Sequence, residues 1–170
     1  METRRVLKKG KIVTTRKGNV VLRLADSIIR KIKPYCSQIK VVGSIRRKVK
    51  NPVDIDIALI PKNEKDKDKI ESILKREGKY IQGGEKRATF KIKGVKVELY
   101  YTNKEELGAT LLAYSSEFGA GIGLRMVAKR KGLKLSQHGL FTKSGRRIAG
   151  KTEEEIYHAL GREYKEPWNR

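Results

Sequence analysis

Gly43-Ser44-Ile45-Arg46-Arg47, followed a few residues later by Asp54-Ile55-Asp56, is the stretch on which the reading of this chain turns. Residues 53–60 are rich in β-formers and close at Pro61, so they read as a strand, in which residues two apart point to the same face. Asp54 and Asp56 then converge while Val53, Ile55 and Ile57 face a core. Two carboxylates on one face repel unless a divalent cation sits between them. Hard oxygen ligands with room for phosphate oxygens favour magnesium. Just upstream, a strand over residues 39–42 turns at Gly43. Glycine presents no side chain, so with Ser44 it lets backbone amides and a hydroxyl approach a phosphate closely. Arg46 and Arg47 add guanidinium forks that match phosphate geometry. The pattern predicts a grip for a triphosphate whose metal is held by the two aspartates.

A third acid lies further along. Residues 88–93 and Val95–Tyr101, joined at Gly94, read as a hairpin entered through the flexible pair Gly83 and Gly84. In its second strand Val95, Val97 and Leu99 alternate with Lys96, Glu98 and Tyr100, which leaves Glu98 on the polar face to join Asp54 and Asp56. Around these strands the chain punctuates itself. An amphipathic helix over residues 20–32 precedes the first strand, and Glu64–Glu77 reads as a surface helix stopped by Gly78. Beyond Thr102 the pattern turns helical, over residues 104–114 and 121–130, with Gly132 as a stop. A β-hairpin is expected at His138 and Gly139 and a turn at Ser144 and Gly145. A last helix opens at Thr152 with capping-box spacing, and Gly161 stands where its C-terminal cap belongs.

The expected fold class is therefore α+β: a mixed β-sheet with helices on one face over residues 1–103, followed by a small helical subdomain with a β-hairpin over residues 104–170. With 170 residues and 38% hydrophobic content the chain can bury one core or two small ones. Its 41 basic residues against 19 acidic give a net charge of +22, which points to a polyanionic partner. Nucleic acid is the first candidate; no apolar run is long enough to span a bilayer, so no membrane partner is expected and the chain reads as soluble and intracellular. The first seventeen residues carry seven of these cations, among them Arg4, Arg5, Lys8, Lys9 and Lys11, and read as a basic arm lying against phosphate. The single cysteine, Cys36, reads as a small buried residue. His138 and His158 read as isolated surface residues, and Gly119, Gly121 and Gly123 as a flexible helix entry without dinucleotide-loop spacing.

Gly43 to Arg47 with Asp54 and Asp56 resembles the nucleotidyltransferase signature of family X DNA polymerases, the group that includes polymerase beta. The resemblance runs through Gly83 to Lys86, Glu106 to Ala109, Leu124, Arg125, Gly132 to Leu135, His138 to Phe141, and Ile148 to Tyr157. It implies a nucleotidyltransferase palm followed by a C-terminal subdomain that closes over the nascent base pair, in a reduced, viral-type form lacking the lyase domain and the helix-hairpin-helix clamp. The implied activity is DNA-directed addition of deoxynucleotides to a primer 3′ hydroxyl in short-gap DNA repair, by a monomer using two magnesium ions, with manganese as an alternative.

By the same resemblance Asp54, Asp56 and Glu98 bind metal, Gly43, Ser44, Arg47 and Tyr114 contact the incoming dNTP, and Lys96 sits near the primer terminus. Arg125 contacts the template strand. Lys129, Lys131 and Lys134 add further DNA contacts, since a polymerase without its clamp must hold gapped or primer-template duplex through phosphates. Three departures stand out. Glu98 replaces an aspartate, which points to slower chemistry or a preference for manganese; Ala113 replaces the aromatic that backs the sugar; and Gly121 replaces a minor-groove asparagine. They keep two alternatives open, a template-independent nucleotidyltransferase tailing DNA or RNA and a nucleic-acid-binding protein that has lost catalysis.

Overall fold

The computed structural model describes residues 2–170, the side chain of Phe118 excepted. The chain divides into two compact units, Met1–Tyr101 and Thr102–Arg170. In the first unit, strands β1 (Thr3–Lys8) and β2 (Lys11–Arg16) form an antiparallel hairpin. Lys9 and Gly10 both take positive φ at its tip, the geometry of a two-residue type I′ turn that matches strand twist. The segment expected as a basic arm is thus a β-hairpin. Its register pairs Val6 with Val13, and Arg4 and Arg16 tie it to the unit by donating to the carbonyls of Asn51 and Lys93.

Helix α1 (Gly18–Ile32) follows, two residues longer at its start than its apolar spacing predicts. Then come β3 (Cys36–Val42), a single helical turn α2 (Gly43–Arg46), β4 (Ile55–Pro61), α3 (Glu64–Glu77), β5 (Lys79–Gly83), β6 (Arg87–Ile92) and β7 (Val95–Tyr101). The five strands order as β3-β4-β7-β6-β5. Only β4 and β7 run parallel, so the sheet is mixed. Period-two alternation decides its faces: Ile55, Ile57 and Leu59 of β4, Val97 and Leu99 of β7 and Phe90 and Ile92 of β6 are sealed in one core with Val21, Ile28 and Ile32 of α1 and Ile70 and Leu74 of α3. The residues between them, Asp56 and Glu98 among these, fall on the opposite face. α3 keeps the expected bounds because its ends are chemically marked. The Asn63 side chain accepts from the Asp66 amide at 2.8 Å at one end, and Gly78 follows the other. β5 was not expected: the Gly83 and Gly84 stretch closes an edge strand rather than forming a free entry loop.

The second unit contains α4 (Leu107–Ser115), α5 (Phe118–Arg130), strands β8 (Leu133–Ser136), β9 (Gly139–Thr142) and β10 (Arg147–Ala149), and α6 (Glu153–Ala159). The three short strands form an antiparallel sheet in the order β10-β9-β8, so the expected hairpin around His138 gains a third strand after the turn at Gly145. Ala109, Leu112, Ala128, Leu140, Ile156 and Tyr157 make a separate core. α4 reaches the start of α6 through Gly108, where an added Cβ would lie 2.2 Å from the Thr152 carbonyl carbon. Thr152 caps α6 as expected, accepting from the Glu155 amide at 3.1 Å. Among the described residues no helix is long and apolar enough to cross a membrane.

Candidate active site

The parallel register of β4 and β7 places Asp56 directly opposite Glu98. Neither residue is on a loop; both ride on central strands whose other faces are fixed in the core, so their backbones are held by the whole first unit. Asp54 precedes β4 and is not part of it, which corrects the expectation that both aspartates share a strand. The turn after β3 closes the site from the side. Gly43 has a φ of +64, and a Cβ built on it would stand 2.3 Å from the Asp56 Oδ2. Glycine is thus required here by the Asp56 carboxylate itself, in addition to any phosphate.

Glu98 is almost wholly buried, its side chain 4% exposed. Its Oε1 accepts from Lys96 at 2.5 Å and from Arg87 at 2.9 Å, and its Oε2 accepts the Tyr100 hydroxyl. Burial works to push its carboxyl up, but the hydrogen bonds from Lys96 and Tyr100 and the charges of Lys96 and Arg87 prevail, so its pKa is lowered. Asp56 moves the other way. Burial first, then the negative charges of Glu98 and Asp54, raise its pKa against the opposing pull of Tyr100 and Lys96. The Tyr100 oxygen is 3.3 Å from Asp56 Oδ1, yet a hydroxyl has one proton and Glu98 stands closer. Burial and its two acidic neighbours push the Tyr100 hydroxyl itself far up, so that proton stays in place.

Asp54 is held differently. The Lys8 ammonium reaches in from the tip of the β1–β2 hairpin to within 3.1 Å of its Oδ2, with side chains 47% and 31% exposed. A pair this open contributes about 0–1 kcal/mol and exchanges readily. Among the described residues no three His, Cys, Asp or Glu side chains are grouped as a metal cage. The chemistry of the donor set nevertheless fits a hard divalent cation. All donors are carboxylate oxygens, and the elevated Asp56 carboxyl beside two other acids is a charge imbalance that a cation at Asp54 and Asp56 relieves. Glu98 fits only after exchanging Lys96 or Arg87.

In the second unit, Ala113, Ser116, Gly121, Leu124 and Arg125 line one cleft of about 30 Å³, room for roughly a single water, together with Leu112 and Leu135. Ala113 and Gly121, at which the chain departs from the expected pattern, therefore face the same small space as Arg125. Along α5, Arg125 and Lys129 are exposed together with Ile122 and Met126, and no atom stands within 4 Å of a Cβ added at Gly119 or Gly123.

Residues 121–170 match the family model of the DNA polymerase beta thumb.

No curated protein matches the chain. The thumb-like segment includes most of α5, the three-stranded sheet and α6, and with them Arg125, Lys129, Lys131 and Lys134, all four exposed. It covers less than a third of the chain, and its likeness supports a nucleic-acid-binding role of the family X kind. Ala113 and Tyr114, on α4, lie outside it. Tyr114 is half-buried in the second unit, whereas Gly43, Ser44 and Arg47 cluster at α2 in the first. Arg47 keeps its Nε buried without a hydrogen-bond partner. Sequence reasoning missed Arg87, Tyr100 and Lys8 as parts of the site. Tyr100 was legible in principle, standing two residues from Glu98 on the same face, but Arg87 and Lys8 come from other strands and only the register brings them in.

Proposed function

We propose that the chain is a family X-type nucleotidyltransferase that adds deoxynucleotides to a primer 3′ hydroxyl on gapped or primer-template DNA. The observation that carries this reading is the polymerase beta thumb likeness of residues 121–170 in a chain whose other unit sets Asp56 opposite Glu98 on parallel central strands. Asp54 and Asp56 would hold magnesium, and Glu98 would join them after releasing Lys96. Bound there, the metal would acidify the primer hydroxyl and neutralise the triphosphate. The chain's own residues do the rest. Gly43 keeps the Asp56 carboxylate in place, Tyr100 retains its proton between Asp56 and Glu98, Ser44 and Arg47 at α2 face the triphosphate, and the basic face of α5 holds template phosphates.

A second reading is favoured by one specific observation, the tight engagement of Glu98 by Lys96, Arg87 and Tyr100. It makes the chain a DNA-binding protein in which that carboxylate serves structure. Incorporation on a one-nucleotide-gapped duplex separates the two, with each dNTP and rNTP, in magnesium and in manganese, for wild type and Asp56→Ala. Templated dNTP addition lost in the variant supports the polymerase. Equal addition of all four nucleotides opposite one template base points instead to template-independent tailing, and no addition under any condition leaves the binding protein.

A further inference from the structure

Leu7 and Ile12 are cross-strand partners at the end of the β1–β2 hairpin, and each is 74% exposed, well beyond any other large apolar side chain among the described residues. Neither belongs to either core. Hairpin alternation explains how they come to be bare. Arg4, Val6 and Lys8 with Lys11, Val13 and Thr15 share one face, and that face turns inward: Val6 and Val13 are half-buried, Arg4 donates to the Asn51 carbonyl, and Lys8 pairs with Asp54. The other face carries Arg5, Leu7, Ile12 and Thr14, all exposed. The side chains of Arg5, and of Lys9 and Lys11 at the tip, make no hydrogen bond or ion pair among the described residues. The result is an apolar pair on the outer face of a rooted two-stranded ribbon, with Arg5 beside it on that face and Lys9 and Lys11 at the turn.

We propose that this hairpin is a second DNA-binding element, which lies in the minor groove of duplex DNA with Leu7 and Ile12 wedged against a base step and Arg5, Lys9 and Lys11 on the flanking phosphates. The proposal rests on the reading of DNA as the partner, and charge selects that occupant over a second copy, since a chain of net charge +22 repels its own basic tip. Two-stranded ribbons bind DNA in either groove, and the combination of apolar wedges that unstack a base step with flanking basic residues is the minor-groove mode. The apolar pair supplies the contact with the stack and the cations supply the approach.

The test uses the full chain and a gapped duplex bearing 2-aminopurine at successive positions, read by fluorescence, with affinity followed by anisotropy from low to moderate salt. Wild type should raise 2-aminopurine emission at one step. The double variant Leu7→Ser with Ile12→Ser should abolish that rise while keeping the salt slope, and Lys9→Ala with Lys11→Ala should lower the slope of log affinity against log salt by about 0.9 for each phosphate left without its lysine. These side chains are exposed, so circular dichroism should show both variants folded. The proposal is overturned if the serine variant keeps the emission change and affinity, if wild type gives no emission change, or if the serine changes act only on sedimentation mass or on binding to anionic vesicles. Nucleotide incorporation is measured in the same samples. Its absence with the emission change intact sinks the polymerase reading alone, and its presence with unaltered hairpin variants sinks the hairpin alone.

Discussion

At the residue scale, Gly43 couples the turn after β3 to the candidate metal ligand. Gly43→Ala forces a side chain into a left-handed backbone and drives its Cβ against the Asp56 carboxylate. The backbone strain costs about 1–2 kcal/mol, and the collision displaces the Asp56 carboxylate. The expected outcome is a modest fall in melting temperature with a larger loss of manganese affinity, followed by paramagnetic resonance. Cys36 gives an independent check on the first core. Its Sγ donates to the Ile32 carbonyl at 3.4 Å, and burial, reinforced by the Asp66 charge against that of Lys62, pushes the thiol from 9.0 up to about 11. Native protein should therefore resist alkylation at pH 8 and react on unfolding. The sign for stability follows. Between pH 9 and 11 the folded state binds more thiol protons than the unfolded one, so stability attributable to Cys36 is full below 9 and is lost as pH rises toward 11. The wild-type curve minus that of Cys36→Ala should fall across this window.

Single elements carry the next consequences, and the Lys8 pair is the most accessible of them. Because that pair is half exposed, Lys8→Ala should leave the fold untouched and raise cation affinity at Asp54 and Asp56 by no more than about fivefold, the range open to a surface ion pair worth about 0–1 kcal/mol. Titration calorimetry with manganese measures it, and a weaker affinity in the variant argues that Lys8 orders the site instead of occupying it. In the second unit, Thr152→Ala removes the cap of α6 and should cost about 1 kcal/mol, read by urea unfolding. Elements also show where sequence reading succeeds. α3 was legible because Asn63 and Gly78 mark its ends, and β7 because every second residue is sealed in the core. β5 and the N-terminal hairpin were not legible, for one reason: β5 is exposed along its whole length, and the hairpin buries no residue fully. Without a core to impose period two, hairpin chemistry at Lys9 and Gly10 was the only signal, and it was masked by the surrounding charge.

For the whole molecule, charge has two opposing effects that one titration reveals. A net +22 on 170 residues strains the folded state by self-repulsion, so added salt should raise the melting temperature while it weakens DNA binding. Calorimetry and anisotropy over the same salt range check both slopes, and a melting temperature indifferent to salt would mean that the cations are dispersed enough not to feel one another. Charge was readable from composition, and much of the apolar patterning from spacing. The partners of the acids were not, because Arg87, Tyr100 and Lys8 meet Glu98, Asp56 and Asp54 through strand register and a hairpin contact rather than through neighbouring sequence. The parallel pairing of β4 with β7 has a kinetic corollary. Between Asp56 and Glu98 the chain must lay down α3, β5 and β6, so the adjacency of these two carboxylates is a long loop closure, whereas the β6–β7 hairpin is local and cheap in entropy. The candidate carboxylate site is therefore expected among the last parts to assemble during folding, and any acquisition of cation affinity should lag behind the appearance of secondary structure.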